Sequence, residues 1–367
     1  MKRIGIVTFH RSHNYGSVLL AYAMVKVLES FGLEARVIDY QHPESRLMYD
    51  FVLWNPHKTT RQNIHNIISQ GIFGRFRKRR KNFYSFVENN IPLTQKYQKR
   101  SDIKEYFDYL VCGSDQIWNP DARDSRDDIY FLDFGEDTVT KFSYAASSGS
   151  RRFHSAKGDS TLKLLSSFKR IGVREQFMKE YIRETFHLES TVNPDPTLLL
   201  SSSEWSVLEE KVEHLPQEYL LVYTLEKEEQ VMNTAASIGR RLGLPVVHIN
   251  NASNVRANGK DGADISLFEI SPGQFLWLFH HASFIVSNSF HGNAFSIIYR
   301  KDFLCPVSDF RDTRIENLHN RVGLEQSRLI RSGDEFSPDS RNIDYKVLED
   351  KIEGFRKEGF DFIKECL

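Results

Sequence analysis

Four short stretches of this 367-residue sequence combine residue types suited to holding anions, sugar hydroxyls and protons. The first is Ser287-Asn288-Ser289-Phe290-His291-Gly292, which follows the apolar run Phe284-Ile285-Val286. The residues after it, to Tyr299, have the apolar spacing of a helix, so His291 stands where a buried strand hands over to a helix. Ligands of open α/β folds bind beyond the carboxyl ends of the strands. A helix N-terminus disfavours imidazolium, but a multiply charged anion beside the ring would let it hold and deliver a proton near neutral pH. A histidine that merely caps backbone is the plainer reading. The Ser-Asn-Ser lead-in and the adjoining glycine favour the functional one.

The second stretch, Asn14-Tyr15-Gly16-Ser17, also lies between an apolar run and a helical pattern. Free N–H groups of Gly16 and Ser17 at a helix N-terminus would suit a phosphate or carboxylate, with Ser17 as a simple cap the alternative. The stretch is not G-x-G-x-x-G, so a dinucleotide fingerprint is absent. The third, Gly113-Ser114-Asp115-Gln116-Ile117-Trp118, offers a carboxylate, an amide and an indole, a set that suits sugar hydroxyls and C–H faces. A helix cap by Ser114 or Asp115 is the competing reading. The fourth, Gly172-Val173-Arg174-Glu175, sets Arg174 at a helix N-terminus, where the dipole opposes a cation by a few tenths to about 1 kcal/mol. A bound anion or an unseen carboxylate must compensate, and the guanidinium fork favours a bound phosphate or carboxylate.

Strands and helices must position these residues. Runs at 4–9 and 35–40 read as strands flanking a helix from about Val18 to Phe31, closed by Gly32, which makes an opening βαβ unit. Further strands are expected over 108–114, 141–147 and 169–175. A serine run and an acidic helix after residue 200 mark a boundary, and the strand–helix alternation restarts at 218–225. The expected fold is α/β: two doubly wound Rossmann-like domains, 1–200 and 201–367, facing a central cleft, with a final helix packing back on the first domain.

Lys plus Arg balance Asp plus Glu at 49 each, so overall charge makes no case for a nucleic-acid partner. Cys112, Cys305 and Cys366 are scattered without a CxxC pair and read as buried reduced thiols. The apolar part of MKRIGIVTF is too short for a secretory leader and no run approaches a membrane span, so a cytoplasmic protein is expected. The basic residues of 75–81 read most plainly as a solvated helix face. Their functional reading is a peripheral contact with an anionic surface, such as phospholipid headgroups at the inner membrane face, or with a diphosphate carrier.

Taken in order, NYGSVLLAYAM (14–24), LVCGSDQIWNP (110–120), FSYAASSG (142–149), IGVREQ (171–176), DPTLLL (195–200) and IVSNSFHGNAFSIIY (285–299) resemble the polysaccharide pyruvyltransferase family over nearly the whole chain. The resemblance implies a GT-B-like architecture. It also implies transfer of the enolpyruvyl-derived group of phosphoenolpyruvate onto two hydroxyls of one sugar, giving a pyruvate ketal and phosphate in capsule or exopolysaccharide synthesis. In that family Arg174 would grip the donor, and His291, with Asn288, Ser289 and Gly292 about it, would be the general acid. Ser114, Asp115 and Gln116 would face the acceptor, Asp115 as a candidate base, while Asn14, Tyr15, Gly16 and Ser17 line the same cleft. Some members carry Arg-Leu-His where this chain has Ser289-Phe290-His291, and Arg314 is a candidate source of the missing charge. No step requires a metal or a cofactor beyond phosphoenolpyruvate as co-substrate. The implied partner is a sugar acceptor, and the basic run leans towards a lipid-diphosphate-linked one. Two other readings stand beside this one. A glycosyltransferase of the same build would use a nucleotide sugar, with Asp261 and Asp264 the acidic residues on offer. A non-catalytic carbohydrate-binding member of a polysaccharide assembly would bind acceptor without releasing phosphate.

Overall fold

Apolar runs rich in Val, Ile, Leu and Phe become strands buried along their whole length, as strands of covered parallel sheets must be. The computed structural model describes residues 1–41, 59–64, 74–119, 128–136, 138–149, 158–224, 228–250, 262–307, 313–324, 328–331 and 342–367. The chain divides into two units, Met1–Leu199 with Lys357–Leu367, and Leu200–Arg356.

The first unit contains β1 (Arg3–Val7), β2 (Glu34–Val37), β3 (Tyr109–Gly113), β4 (Thr140–Ala146), β5 (Arg170–Val173) and β6 (Thr191–Val192). They form one parallel sheet in the order β2-β1-β3-β4-β5-β6. Its helices are α1 (Tyr15–Ser30), α2 (Arg75–Asn90), α3 (Gly158–Ser166) and α4 (Gln176–Phe186). α1 is buried on nearly every side, which its all-round apolar sequence requires, and it packs against β2 and the turn Pro196–Leu199. Within the basic run on α2, Arg77, Lys78 and Lys81 are exposed, but Arg79 is buried with its guanidinium over the rings of Tyr15 and Phe83. One member of a run expected to be solvated is therefore part of the interior.

The second unit contains β7 (Leu220–Tyr223), β8 (Val246–Ile249), β9 (Ile265–Leu267), β10 (Phe284–Ser287), β11 (Phe303–Pro306) and β12 (Leu329–Ile330), parallel in the order β12-β11-β10-β7-β8-β9. Its helices are α5 (Ser202–Ser206), α6 (Glu228–Leu242), α7 (Pro272–His281), α8 (Phe290–Ile298) and α9 (Thr313–Val322). A final helix, α10 (Tyr345–Cys366), belongs to the second unit up to Arg356 and to the first from Lys357. The acidic helix expected after residue 200 stops at Ser206. Glu209 and Glu210 instead turn to His280 and to Ser271, the N-cap of α7, so tertiary partners override local propensity. The strands β6, β9 and β12, of two or three residues, are too short to show a period in the sequence. Among the described residues no helix is long and apolar enough to cross a membrane.

A buried carboxylate holds the start of the loop between β1 and α1. Asp39, just after β2, accepts from His10 Nε2 at 3.0 Å, from Arg11 Nε and Nη2 at 3.1 and 2.7 Å, and from Gln41 Nε2 at 2.9 Å. Burial would raise this carboxyl, but its hydrogen bonds to His10 and Arg11 outweigh burial and hold it well below the ordinary carboxylate range. A folded-state value below the unfolded one contributes stability above the unfolded pKa of about 4, and that contribution is lost as pH falls. Asp39→Asn should therefore cost about 2–3 kcal/mol at neutral pH in urea unfolding, with the gap to wild type narrowing as pH drops below about 4. A gap that stayed constant with pH would mean the carboxylate charge contributes nothing. At the end of β3, a Cβ on Gly113 would lie 1.9 Å from the Tyr144 carbonyl oxygen, so Gly113→Ala should cost about 3 kcal/mol or more. Gly32→Ala, where φ is +76° and the surroundings are open, should cost only about 1 kcal/mol.

Candidate functional site

In the first unit the strand order reverses between β1 and β3, the place where doubly wound sheets open a crevice at their carboxyl ends. The loops after these two strands carry Asn14–Ser17 and Ser114–Gln116, and a hydrogen bond joins them: Ser17 Oγ donates to Asp115 Oδ2. Ser17 can do so because it is not the helix cap. Asn14 caps α1, its side-chain oxygen accepting from Gly16 N–H at 2.9 Å. The Gly16 N–H, expected to be free for an anion, is thus already occupied. Tyr15, expected to line the site, is fully buried against Phe83, and burial raises its hydroxyl to about 12. It supports the loop from beneath.

The loop after β3 is strained. Ser114 and Asp115 both have left-handed backbone, with φ of 44° and 56°, a conformation that non-glycine residues adopt only where the surroundings impose it. The imposing contacts are visible. Ser114 N–H donates to Tyr144 O at 2.8 Å, and Asp115 Oδ1 accepts from the Gln116 N–H at 2.8 Å. Gln116 is partly exposed and its Oε1 accepts from Asn119 Nδ2 at 2.6 Å. Trp118, read from sequence as a sugar platform, is instead core: it is fully buried, stacks on Phe131 and donates from its indole to Tyr130 O at 3.0 Å.

Carboxylates of the chain itself stand beside Arg174, the alternative that the sequence offered next to a bound anion. Arg174 Nη1 lies 2.9 Å from Asp195 Oδ2, and its Nε lies 3.5 Å from Glu175 Oε1. All three residues are at least 96% buried. Asp195 was not singled out by sequence reasoning, yet it organises the cluster. Its Oδ2 also accepts from Ser114 Oγ at 2.9 Å, and its Oδ1 accepts from Thr197 N–H at 3.0 Å and Thr197 Oγ1 at 2.8 Å. The available signal was Pro194-Asp195-Pro196-Thr197, a turn sequence whose aspartate bonds backbone two residues on. Ser147, after β4, donates to Glu175 and accepts from Gly149 N–H at 3.0 Å, completing a row of polar groups along the strand ends.

The second unit reads 3-2-1-4-5-6 when its strands are counted from β7, the dinucleotide-fold order, with its reversal between β7 and β10. His291 follows β10 at that reversal. Ser287 ties the two strands, donating from Oγ to Tyr223 O at 2.5 Å and accepting from Ser289 N–H at 3.2 Å. Gly292 is required there, since a Cβ would stand 2.0 Å from that same Oγ. Asn293 closes the loop, donating to Ser287 O at 3.1 Å and Ser289 O at 2.8 Å. Its remaining oxygen accepts from His319 Nε2 of α9 at 2.9 Å. His291 is 8% exposed in the first turn of α8, edge-on to Phe290. Ser289 is the N-cap but makes no capping bond, and its hydroxyl, 2% exposed, has no hydrogen-bond partner among the described residues. Asn288 is partly exposed beside it, and Arg314 is partly exposed in the first turn of α9, while 308–312 before it lie outside the described residues. Asp264 gives its carboxylate to Val246 N–H at 2.8 Å, and Asp261 lies outside the described residues.

Among solved structures the chain is similar to Arabidopsis thaliana UGT89C1 complexed with UDP-L-rhamnose, at 8% identity and a TM-score of 0.50, covering all of this chain and 99% of that one. It is also similar to UDP-GlcNAc 2-epimerase from Neisseria meningitidis bound to UDP-GlcNAc, at 12% identity and a TM-score of 0.48, covering 100% and 99%. Likeness at such identities concerns the fold alone, and with the two parallel six-stranded sheets it describes a GT-B-like α/β protein. A search of curated proteins returns no match. The family description Polysaccharide pyruvyl transferase matches residues 14–306, a span that begins at the cap of α1 and takes in both strand-end clusters. By that match the chain belongs to the polysaccharide pyruvyl transferase family.

Proposed function

We propose that the protein moves the three-carbon unit of phosphoenolpyruvate onto two hydroxyls of one sugar, releasing phosphate and leaving a cyclic ketal. The observation that carries this reading is the placement of His291. It stands in the first turn of α8, at the reversal of a dinucleotide-fold sheet, beside a buried hydroxyl with no partner among the described residues. Helix N–H groups and a neutral hydroxyl suit a phosphate or carboxylate, and an imidazole next to that anion is stabilised in its protonated form.

His291 would give its proton to the methylene carbon of the donor, making the adjacent carbon cationic. A sugar hydroxyl adds there and loses its proton to a carboxylate base. The carbon–oxygen bond to phosphate then breaks with its electron pair going to the phosphate oxygen, phosphate leaves with the proton taken up by the carboxylate, and the second hydroxyl adds to the cationic carbon and closes the ring as its proton returns to His291. In this scheme Arg314 takes the part of the arginine that Ser289 replaces. Arg174 acts as a positioning residue through Asp195 and Ser114. Exposed Arg77, Lys78 and Lys81 on α2 are compatible with a lipid-diphosphate-linked acceptor. The nucleotide-sugar alternative has the UDP-L-rhamnose bound to UGT89C1 behind it, while Asp264, one of the two acidic residues offered for it, gives its carboxylate to backbone.

Phosphoenolpyruvate at about 100 times its Kd should stabilise the protein by about 2.7 kcal/mol, read as a rise in melting temperature. A shift with UDP-GlcNAc and none with phosphoenolpyruvate would move the protein to the nucleotide-sugar reading. His291→Gln should bind the donor with little change while phosphate release falls by about 10²–10⁴-fold. Arg314→Gln should weaken donor binding about tenfold, or about 1.4 kcal/mol, in calorimetric titration. Donor binding by wild type without phosphate release for any saccharide acceptor would point to the non-catalytic role.

A further inference from the structure

We propose that Glu209, His280 and His281 form a binding site for a divalent transition-metal ion of the zinc type. His280 and His281 are the last two residues of α7, and Glu209 follows α5. One ligating atom from each lies within 4.8 Å of the others. The spacing could not be read from sequence, because Glu209 is far from the His-His pair and is expected there to sit on a helix.

The hydrogen bonds fix which nitrogens are available. His281 Nδ1 stands 2.9 Å from Trp277 O, and His280 Nδ1 stands 2.8 Å from Glu209 Oε1. A carbonyl and a carboxylate only accept, so each ring donates from Nδ1, and the neutral ring keeps its lone pair on Nε2. A metal-ligating imidazole usually has an outer partner that sets its tautomer and orientation, and Trp277 O is that partner for His281. Both rings are also held by stacking, His280 on Tyr299 at 4.6 Å and His281 on Trp277 at 4.3 Å.

Charge favours a cation at this point. The C-terminus of α7 presents the negative end of its dipole, and Glu209 adds a carboxylate that is 10% exposed. Two imidazoles and one carboxylate suit zinc better than magnesium or calcium, whose sites are built from oxygens. α7 runs directly into β10, so the site lies at the amino end of that strand and His291 at its carboxyl end. The ion would clip α7 to the segment after α5 and would take no part in the transfer chemistry.

The full chain, freed of tags and treated with chelator, would be titrated with Zn²⁺ by calorimetry and with Co²⁺ by visible absorption. One ion per chain at micromolar affinity or tighter, with the d–d bands of tetrahedral Co²⁺ and a raised melting temperature, is the expected result. His281→Ala, at an exposed position, should keep the metal-free melting temperature and lose the Co²⁺ bands. Glu209→Gln should weaken Zn²⁺ by about 10–100-fold. Absence of binding below millimolar Zn²⁺, or equal binding by wild type and His281→Ala, would overturn the proposal.

Discussion

The carboxylate of Asp195 is the constraint on which the strand-end loops of the first unit depend. A buried carboxylate is costly unless its oxygens are fully engaged, and here each oxygen has two donors. Those donors come from the end of β3, from the end of β5 and from the turn after β6, so one charge gathers three strand ends. Ser114 is among them, and its left-handed backbone persists because Asp195 and Tyr144 hold it from two sides. The left-handed pair in turn directs Asp115 towards Ser17, across the point where the strand order reverses. Arg174 then reads as the counter-charge that makes this arrangement affordable in a dry interior.

The second unit reaches a comparable result with neutral groups. Ser287 joins β10 to β7 through a hydroxyl that both donates and accepts, and Gly292 leaves room for it. Asn293 then holds the loop's carbonyls and passes the connection to His319 on α9. The loop around His291 is therefore rigid, while the hydroxyl of Ser289 is left without a partner among the described residues. A rigid loop with one unused donor is what pre-organised recognition of an oxygen-rich ligand calls for.

Much of this was legible in the sequence, and the failures share a cause. The apolar runs that became β1, β3, β7 and β10, and the handover from strand to helix at His291, follow from local periodicity and turn chemistry. The need for an anion at Arg174 was also legible, because a helix dipole acts on its own first turn. What could not be read was which group meets that need, since Asp195 lies beyond an intervening helix and strand. Trp118 and Tyr15 failed in the same way. Their residue types suit a ligand, but long-range packing decided that they face the core. Asn14 displaced Ser17 as the cap of α1 for a subtler reason: the serine had a stronger partner, Asp115, about a hundred residues away.

α10 gives the chain an unusual order of completion. Its last turns supply Phe362 and Ile363 to the interior of the first unit, where Lys169 and Tyr109 also bond the backbone of Cys366 and Leu367. On the ribosome, residues 1–199 emerge first but lack that closing piece until the entire second unit has been made. At ordinary elongation rates the wait is about 10–30 s, long compared with the folding of most domains. The nascent first unit must spend that interval with the apolar surface that Phe362 and Ile363 later cover still exposed.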